Sequence, residues 1–133
     1  MKLLLDTHVL VWAESMDHRL GPATRGLLLD SANTLLVSPV TSLELARLVA
    51  MSRLTLGKPL GEWFSIARRH LGFDDAPFLH DEALESYDLP GSFHKDPADR
   101  ILVATARLRG CTLMTADDSI LGYPHVAALD ARL

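Results

Sequence analysis

The stretch Lys2-Leu3-Leu4-Leu5-Asp6 opens the chain with an unbroken apolar run that ends at a carboxylate. A run without polar alternation is typical of a strand buried on both faces, as the strands of parallel sheets are. Further along, short apolar runs at 35–37 and 112–114 alternate with longer segments of helical periodicity. This alternation predicts an α/β domain built on a parallel sheet.

The same pattern predicts the individual elements. We expect strands at 2–5, 35–37, 78–79, 112–114 and 126–127. A short capped segment toward Leu121 is expected after the strand at 112–114. We expect helices at 7–12, 23–29, 42–51, 58–70, 81–87 and 97–108, with a turn-rich break at 72–77. Gly110 directly follows the last helix and is typical of a helix end. A length of 133 residues fits one domain, so we predict a single domain over 1–133.

Composition limits the classes of protein. Apolar residues make up 48% of the chain, and the single cysteine, Cys111, excludes an internal disulfide framework. The apolar start is too short for a signal peptide, and no apolar run could span a membrane. We therefore expect a cytoplasmic protein with no membrane partner. The net charge of −4 is not that of a protein that coats nucleic acid, so RNA binding would need local basic residues and a bridging metal.

Acidic residues recur where predicted strands end. Asp6 follows the first strand, Glu44 lies in the helix after the second, Asp99 opens a later helix and Asp117 follows a late strand. Ligands of open parallel sheets bind outside the carboxyl ends of the strands, so these four side chains are expected to converge. Converging carboxylates repel and need a cation, and hard oxygen ligands suit Mg²⁺ or Mn²⁺. Such a site fits metal-assisted phosphodiester hydrolysis.

Each acidic residue also has a structural interpretation. Asp6 could cap the first helix, and Glu44 fits a capping box that begins at Thr41. Because Pro97 suits the first helical position, Asp96 is expected to be the cap of its helix. Asp99 is then the primary ligand, and Asp96 supports it from beside the pocket.

The remaining candidates stay open on sequence grounds. Asp117 has a twin, Asp118, although its position after the strand favours Asp117. Thr115 could donate its hydroxyl at the site or simply be a strand residue. Arg100 could pair with a carboxylate, contact phosphate or lie in solvent. The histidines His8 and His94 are ambiguous, and basic residues of the third and fourth helices could rim an RNA groove or form a solvated face: Arg47, Arg53, Lys58, Arg68 and Arg69.

Four segments together resemble the PIN-domain family, and within it the VapC-like toxins: residues 4–12, 37–46, 94–106 and 113–117. The resemblance implies a three-layer α/β/α sandwich around a central, mostly parallel sheet of about five strands. It implies a magnesium- or manganese-dependent endoribonuclease that hydrolyses RNA with a metal-activated water. Carried over by position, the metal-binding and catalytic residues are Asp6, Glu44, Asp99 and Asp117.

The resemblance also implies partners. Such proteins form homodimers, and a small VapB-like antitoxin neutralises them by placing a tail over the site, often through an arginine. One alternative is a catalytically silent PIN-like module that recruits a basic protein through its acidic pocket. A phosphoacceptor receiver domain is a second, but it would want two acidic residues near the first strand and a lysine near residues 112–121, and both are missing.

Overall fold

A five-stranded parallel sheet forms the centre of the molecule, in a computed structural model that describes residues 1–133. Its strands lie in the order β3-β2-β1-β4-β5, and every neighbouring pair is parallel. The predicted α/β class and strand number are confirmed. The strands are β1 (Lys2–Leu5), β2 (Thr34–Val37), β3 (Asp74–Asp75), β4 (Thr112–Thr115) and β5 (Ala128–Asp130).

Seven helices connect and cover these strands. They are α1 (Thr7–Ser15), α2 (Pro22–Leu29), α3 (Pro39–Ala50), α4 (Leu60–Leu71), α5 (His80–Glu85), α6 (Pro97–Arg109) and α7 (Asp118–Leu121). None of them has both the length and the hydropathy that crossing a membrane would require.

The central strand β1 shows why helices cover both faces of the sheet. Leu3 and Leu5 belong to one buried cluster, which takes in side chains of α1, α3 and α4. Leu4, which points to the opposite face, belongs to a second cluster with residues of α6 and α7. All three leucines are fully buried. The unbroken apolar run is thus explained by two cores, one on each side of the sheet.

Polar caps begin four of the helices at the carboxyl edge of the sheet. Asp6 accepts a hydrogen bond from the Thr7 amide at 2.7 Å, and Ser38 accepts one from Val40 at 3.1 Å. Asp96 and Asp117 cap α6 and α7 in the same way. The chain therefore leaves β1, β2 and β4 through short polar turns that put capping side chains along one edge.

Several predicted boundaries are wrong; α1, for example, ends at Ser15 rather than near Trp12. Helix α3 begins at Pro39, three residues before the predicted start, because Ser38 caps it and proline fits the first turn. Glu44 therefore lies inside the helix and is not part of a capping box. The strand expected at 78–79 lies instead at Asp74–Asp75, inside the predicted break, and the last strand starts at Ala128 rather than 126.

Both misplaced strands lie at the sheet edges. β3 has two exposed aspartates and pairs only with β2, and β5 pairs only with β4. Short edge strands bury little, so β3 has no apolar run to mark it, and the apolar run at 126–129 gives the place of β5 only approximately.

The double burial of β1 predicts a strong dependence of stability on Leu4. Leu4→Ala should lower the free energy of unfolding by about 3 kcal/mol, since a cavity is left between β1 and α6. Urea denaturation would measure this as a lower midpoint with an unchanged slope. Leu84→Ala, at a leucine that is 74% exposed, is the control and should change stability by less than about 0.5 kcal/mol. Equal effects of both variants would contradict the two-core arrangement.

Candidate metal centre

A cavity of about 420 Å³ opens at the carboxyl edge of the sheet. Five carboxylates from separate parts of the chain line it, and these include all four predicted ligands. The lining residues are Asp6, His8, Trp12, Glu44, Arg47, Leu48, Asp96, Asp99, Ala116 and Asp117. Residues as far apart in sequence as Asp6 and Asp117 thus share one site.

Asp6 is the most enclosed of these carboxylates. Its Oδ2 accepts a hydrogen bond from the Thr115 hydroxyl at 2.6 Å, and its Oδ1 accepts the Thr7 amide. Burial raises the pKa of Asp6 above its ordinary value, while both hydrogen bonds oppose that rise. Thr115 also accepts the Asp117 amide at 3.0 Å. The threonine therefore joins two predicted ligands, and its side chain does more than fill the strand.

Asp99 carries the clearest electrostatic signature. Its pKa is raised to about 8, mainly by burial and further by the negative charges of the other carboxylates, in the order Asp6, Asp96, Asp117 and Glu44. Asp96 itself caps α6 by accepting the Asp99 amide at 3.1 Å. The four other carboxylates are thus close enough to Asp99 to disfavour its charged form, and without a counter-ion Asp99 keeps its proton at neutral pH.

The structure distinguishes the two adjacent aspartates, Asp117 and Asp118. Asp117 lines the cavity and caps α7 by accepting the Ser119 amide at 2.8 Å. The Asp118 side chain is 85% exposed and pairs with Arg132 at 2.8 Å. Asp117 is therefore the member of the pair that can take part in the site.

His94 is a member of the site that the sequence left ambiguous. Its Nε2 lies 3.2 Å from Asp99 Oδ2, is buried and makes no hydrogen bond. One ligand atom each from His94, Asp99 and Asp117 lie within 4.8 Å of one another. The signal in the sequence was its position two residues before Asp96, the cap of α6. That position alone did not decide between a site residue and a surface residue.

Arg100 has a role that none of the sequence interpretations anticipated. Its guanidinium donates to the main-chain carbonyls of Ser86 at 2.8 Å, Phe93 at 3.1 Å and His94 at 3.0 Å. It also lies over the Tyr87 ring, 4.6 Å from the centroid. Arg100 therefore neither pairs with a carboxylate nor lies free in solvent; it holds the loop that carries His94.

Of the five basic residues predicted to rim a groove, Arg47 alone lines the cavity. It lies on α3, three residues after Glu44, and is therefore on the same side of that helix. Arg68 instead pairs with Asp75 at 2.6 Å and packs over Phe73. The basic contribution at the cavity is a single guanidinium beside several carboxylates.

The donor set fits a divalent cation with hard-ligand preferences. Carboxylate oxygens are the ligands that Mg²⁺ and Mn²⁺ favour, and opposite ligands of Mg²⁺ lie about 4 Å apart. Ligand atoms within 4.8 Å of one another can reach that geometry through small side-chain movements. The raised pKa of Asp99 beside four other carboxylates marks a place where positive charge is missing.

Fold and site together define an α/β domain with an acidic cavity at the carboxyl edge of its parallel sheet, and the ligands of this cavity suit a divalent cation. The sequence model of the PIN domain matches residues 3–126. The chain belongs to the PIN-domain family.

Individual relatives agree with this assignment. The chain is 32% identical over 123 residues to ribonuclease VapC22 of Mycobacterium tuberculosis, covering 92% of each chain. The same fold occurs in the structure of Rickettsia felis VapBC2 bound to a DNA fragment from their promoter, with a TM-score of 0.65, 19% identity and coverage of 97% and 98%. FitAcB of Neisseria gonorrhoeae gives a TM-score of 0.63 at 19% identity, with 97% of each chain covered.

The raised pKa of Asp99 predicts how stability depends on pH in the absence of divalent cations. The folded protein keeps this proton up to about pH 8, whereas the unfolded chain releases it near 3.8. The free energy of unfolding should therefore fall as pH rises between these values. Asp99→Asn removes the effect, so the variant should be more stable than the wild type near pH 8 and similar to it near pH 4.

Thermal melting in a chelator across that pH range would measure the difference. Asp88→Asn, at an exposed aspartate outside the cavity, is the control and should follow the wild type. If wild type and Asp99→Asn lost stability in parallel, Asp99 would not be the group that holds the proton.

Proposed function

We propose that this chain is a magnesium- or manganese-dependent endoribonuclease, the toxin of a VapBC-type toxin–antitoxin pair. The observation that carries the proposal is the convergence of Asp6, Glu44, Asp96, Asp99 and Asp117 on one cavity. Its relative of 32% identity is called a ribonuclease, and that relative covers nearly the whole chain. A site built of carboxylates that repel one another is costly unless a cation binds there.

In this proposal Asp6, Glu44 and Asp99 hold the cation, and Asp117 completes the site. When bound, the cation supplies Lewis acidity, which makes a water more acidic and draws negative charge from the phosphate. Asp6 is kept in position by Thr115 and the Thr7 amide. Asp96 fixes the first turn of α6 and thereby the direction of Asp99.

His94, which lies against Asp99, and Arg47, which lines the cavity, are two further polar groups at the site. His94 faces Asp99 and Asp117, where its imidazole can either ligate the cation or, when protonated, offset a carboxylate. Arg47 can contact a phosphate oxygen of the RNA, since it has no carboxylate partner and contacts only the Met51 sulfur, at 3.4 Å.

The proposal includes two protein partners. We propose a VapB-like antitoxin, because the chain shares its fold with a chain in each of two VapBC structures, from Rickettsia felis and Salmonella typhimurium. An acidic cavity of this kind suits a basic antitoxin segment, such as one that presents an arginine. We further propose that the chain forms a homodimer and acts in the cytosol, where the Cys111 thiol would stay reduced.

Asp6→Asn should abolish cleavage while the fold is kept, because the amide cannot supply the negative charge the cation needs. We expect a loss greater than the about 10- to 100-fold that follows removal of a residue that only supports a ligand. Cleavage of pooled transfer, ribosomal and messenger RNA with added Mg²⁺ or Mn²⁺ would measure it. The control is Asp118→Asn, which lies next to Asp117 but outside the cavity and should cleave as the wild type does.

Full activity of Asp6→Asn would contradict the proposed site. A wild type that cleaves no RNA and gains no thermal stability from either cation would favour the silent binding module.

The Thr115 hydroxyl predicts a subtler effect on cation affinity. Thr115→Val keeps the shape of the buried side chain but removes the bonds to Asp6 Oδ2 and the Asp117 amide. Affinity for Mn²⁺, measured by titration calorimetry, should fall about 10- to 100-fold. Thr115→Ser keeps the hydroxyl and should bind Mn²⁺ nearly as the wild type does. Equal affinity of the valine variant and the wild type would show that Thr115 serves the strand alone.

A further inference from the structure

Two aromatic side chains lie at the cavity beside the carboxylates and have no part in holding a cation. His8 and Trp12 both line the cavity, and both come from α1. They are one helical turn apart and therefore on the same side of the helix. Their ring centroids are 6.4 Å apart, and their planes are inclined by 34°. Two neighbouring aromatic rings thus line the same cavity as Asp6.

The Trp12 indole is held in position from outside the cavity. The Arg19 guanidinium lies over its ring, 4.9 Å from the centroid. Arg19 is itself fixed by Asp17, through contacts of 3.0 Å from Nε and 2.8 Å from Nη2. A guanidinium on the π-face adds attraction and restrains the ring. Because the indole is already restrained in this way, little side-chain entropy is lost when a ligand contacts it.

Packing alone does not explain this placement. Trp12 contacts the buried cluster of the α1 face but remains half-buried, and His8 is exposed. The other tryptophan, Trp63, is only 7% exposed and shows how this fold buries an indole when the core needs one. Trp12 instead presents part of its surface to a cavity whose other walls are mostly carboxylates.

The charge of the chain and of the cavity indicates what an aromatic surface could add to RNA binding. The chain has a net charge of −4, and five carboxylates line the cavity, so RNA phosphates are repelled except where Arg47 or a cation meets them. Stacking of a base on an aromatic ring does not depend on net charge and contributes about 1–3 kcal/mol per base. Unpaired RNA bases are commonly recognised in this way.

We propose that Trp12, with His8 beside it, is a stacking site for one unpaired nucleobase next to the phosphate that the carboxylate site receives. The inference rests on the proposed ribonuclease function and extends it to the form of the substrate. Because every base has a π-face, this site selects for an unstacked, single-stranded nucleotide and leaves the choice of base to other contacts. A base held in a duplex cannot reach it.

The two tryptophans allow a direct test. Single-stranded RNA oligonucleotides of mixed sequence, with a dye at one end, are titrated into the Asp6→Asn chain, which is expected to leave the RNA intact. Dye anisotropy reports binding, and indole emission reports stacking. A base on Trp12 should quench part of the emission. In Trp12→Phe only the core Trp63 emits, and its signal should not change on binding.

A second arm changes the RNA and leaves the protein unaltered. An abasic nucleotide is placed at each position in turn. At the position that stacks, the RNA should still bind but lose the quenching. Trp12→Ala should weaken binding of intact RNA about 5- to 150-fold, and the abasic change at that position should then cost nothing more. Trp12→Phe, which keeps a π-face, should bind nearly as the parent chain does.

His80→Ala is the control for His8→Ala, because His80 is exposed at the start of α5 and outside the cavity. His8→Ala should weaken binding measurably, and His80→Ala should not.

Binding without quenching, or equal binding by Trp12→Ala, would overturn the stacking site while leaving the ribonuclease proposal intact. A wild type that neither binds nor cleaves RNA would overturn both. If Trp12→Ala does not fold, the abasic series still decides the question on the unaltered tryptophan.

Discussion

Repulsion among like charges is the constraint on which the rest of this site depends. Five carboxylates face one cavity, and their mutual repulsion together with burial keeps a proton on Asp99 at neutral pH. The free energy of folding must cover that cost, because nothing in the chain neutralises all five groups. Two well-packed cores, one on each face of the sheet, are what stabilise the fold against it. In the proposed function a cation binds in the cavity and relieves this repulsion.

Most of the acidic residues serve the fold and the site at once. Asp6, Asp96 and Asp117 each cap a helix with one oxygen and line the cavity. A capping aspartate has a fixed direction, since its oxygen is bound to an amide of the first turn. The helix ends also bring partial positive charge toward the same edge, which favours carboxylates there. For these three aspartates, capping a helix and lining the cavity are therefore compatible.

The basic residues near the cavity have different roles. Arg100 donates its hydrogen bonds to main-chain carbonyls, including those of the loop that carries His94. Its charge is therefore not available at the cavity. Arg47 remains as the one guanidinium that lines it. With so little positive charge, affinity for a polyanion must come from a bound cation and from surfaces that do not depend on charge. The aromatic pair on α1 provides the second of these.

The sequence by itself determined the α/β class, the buried strand β1, most helices and the four carboxylates that share the cavity. Those features follow from local rules: apolar runs, capping residues and the position of strand ends. The start of α3 follows from a local signal, the Ser38 cap before Pro39. The tertiary structure alone decided the two edge strands and the places of His94, Arg100 and Trp12. These depend on contacts between residues far apart in the chain, such as Thr115 with Asp6, and no local pattern records such contacts.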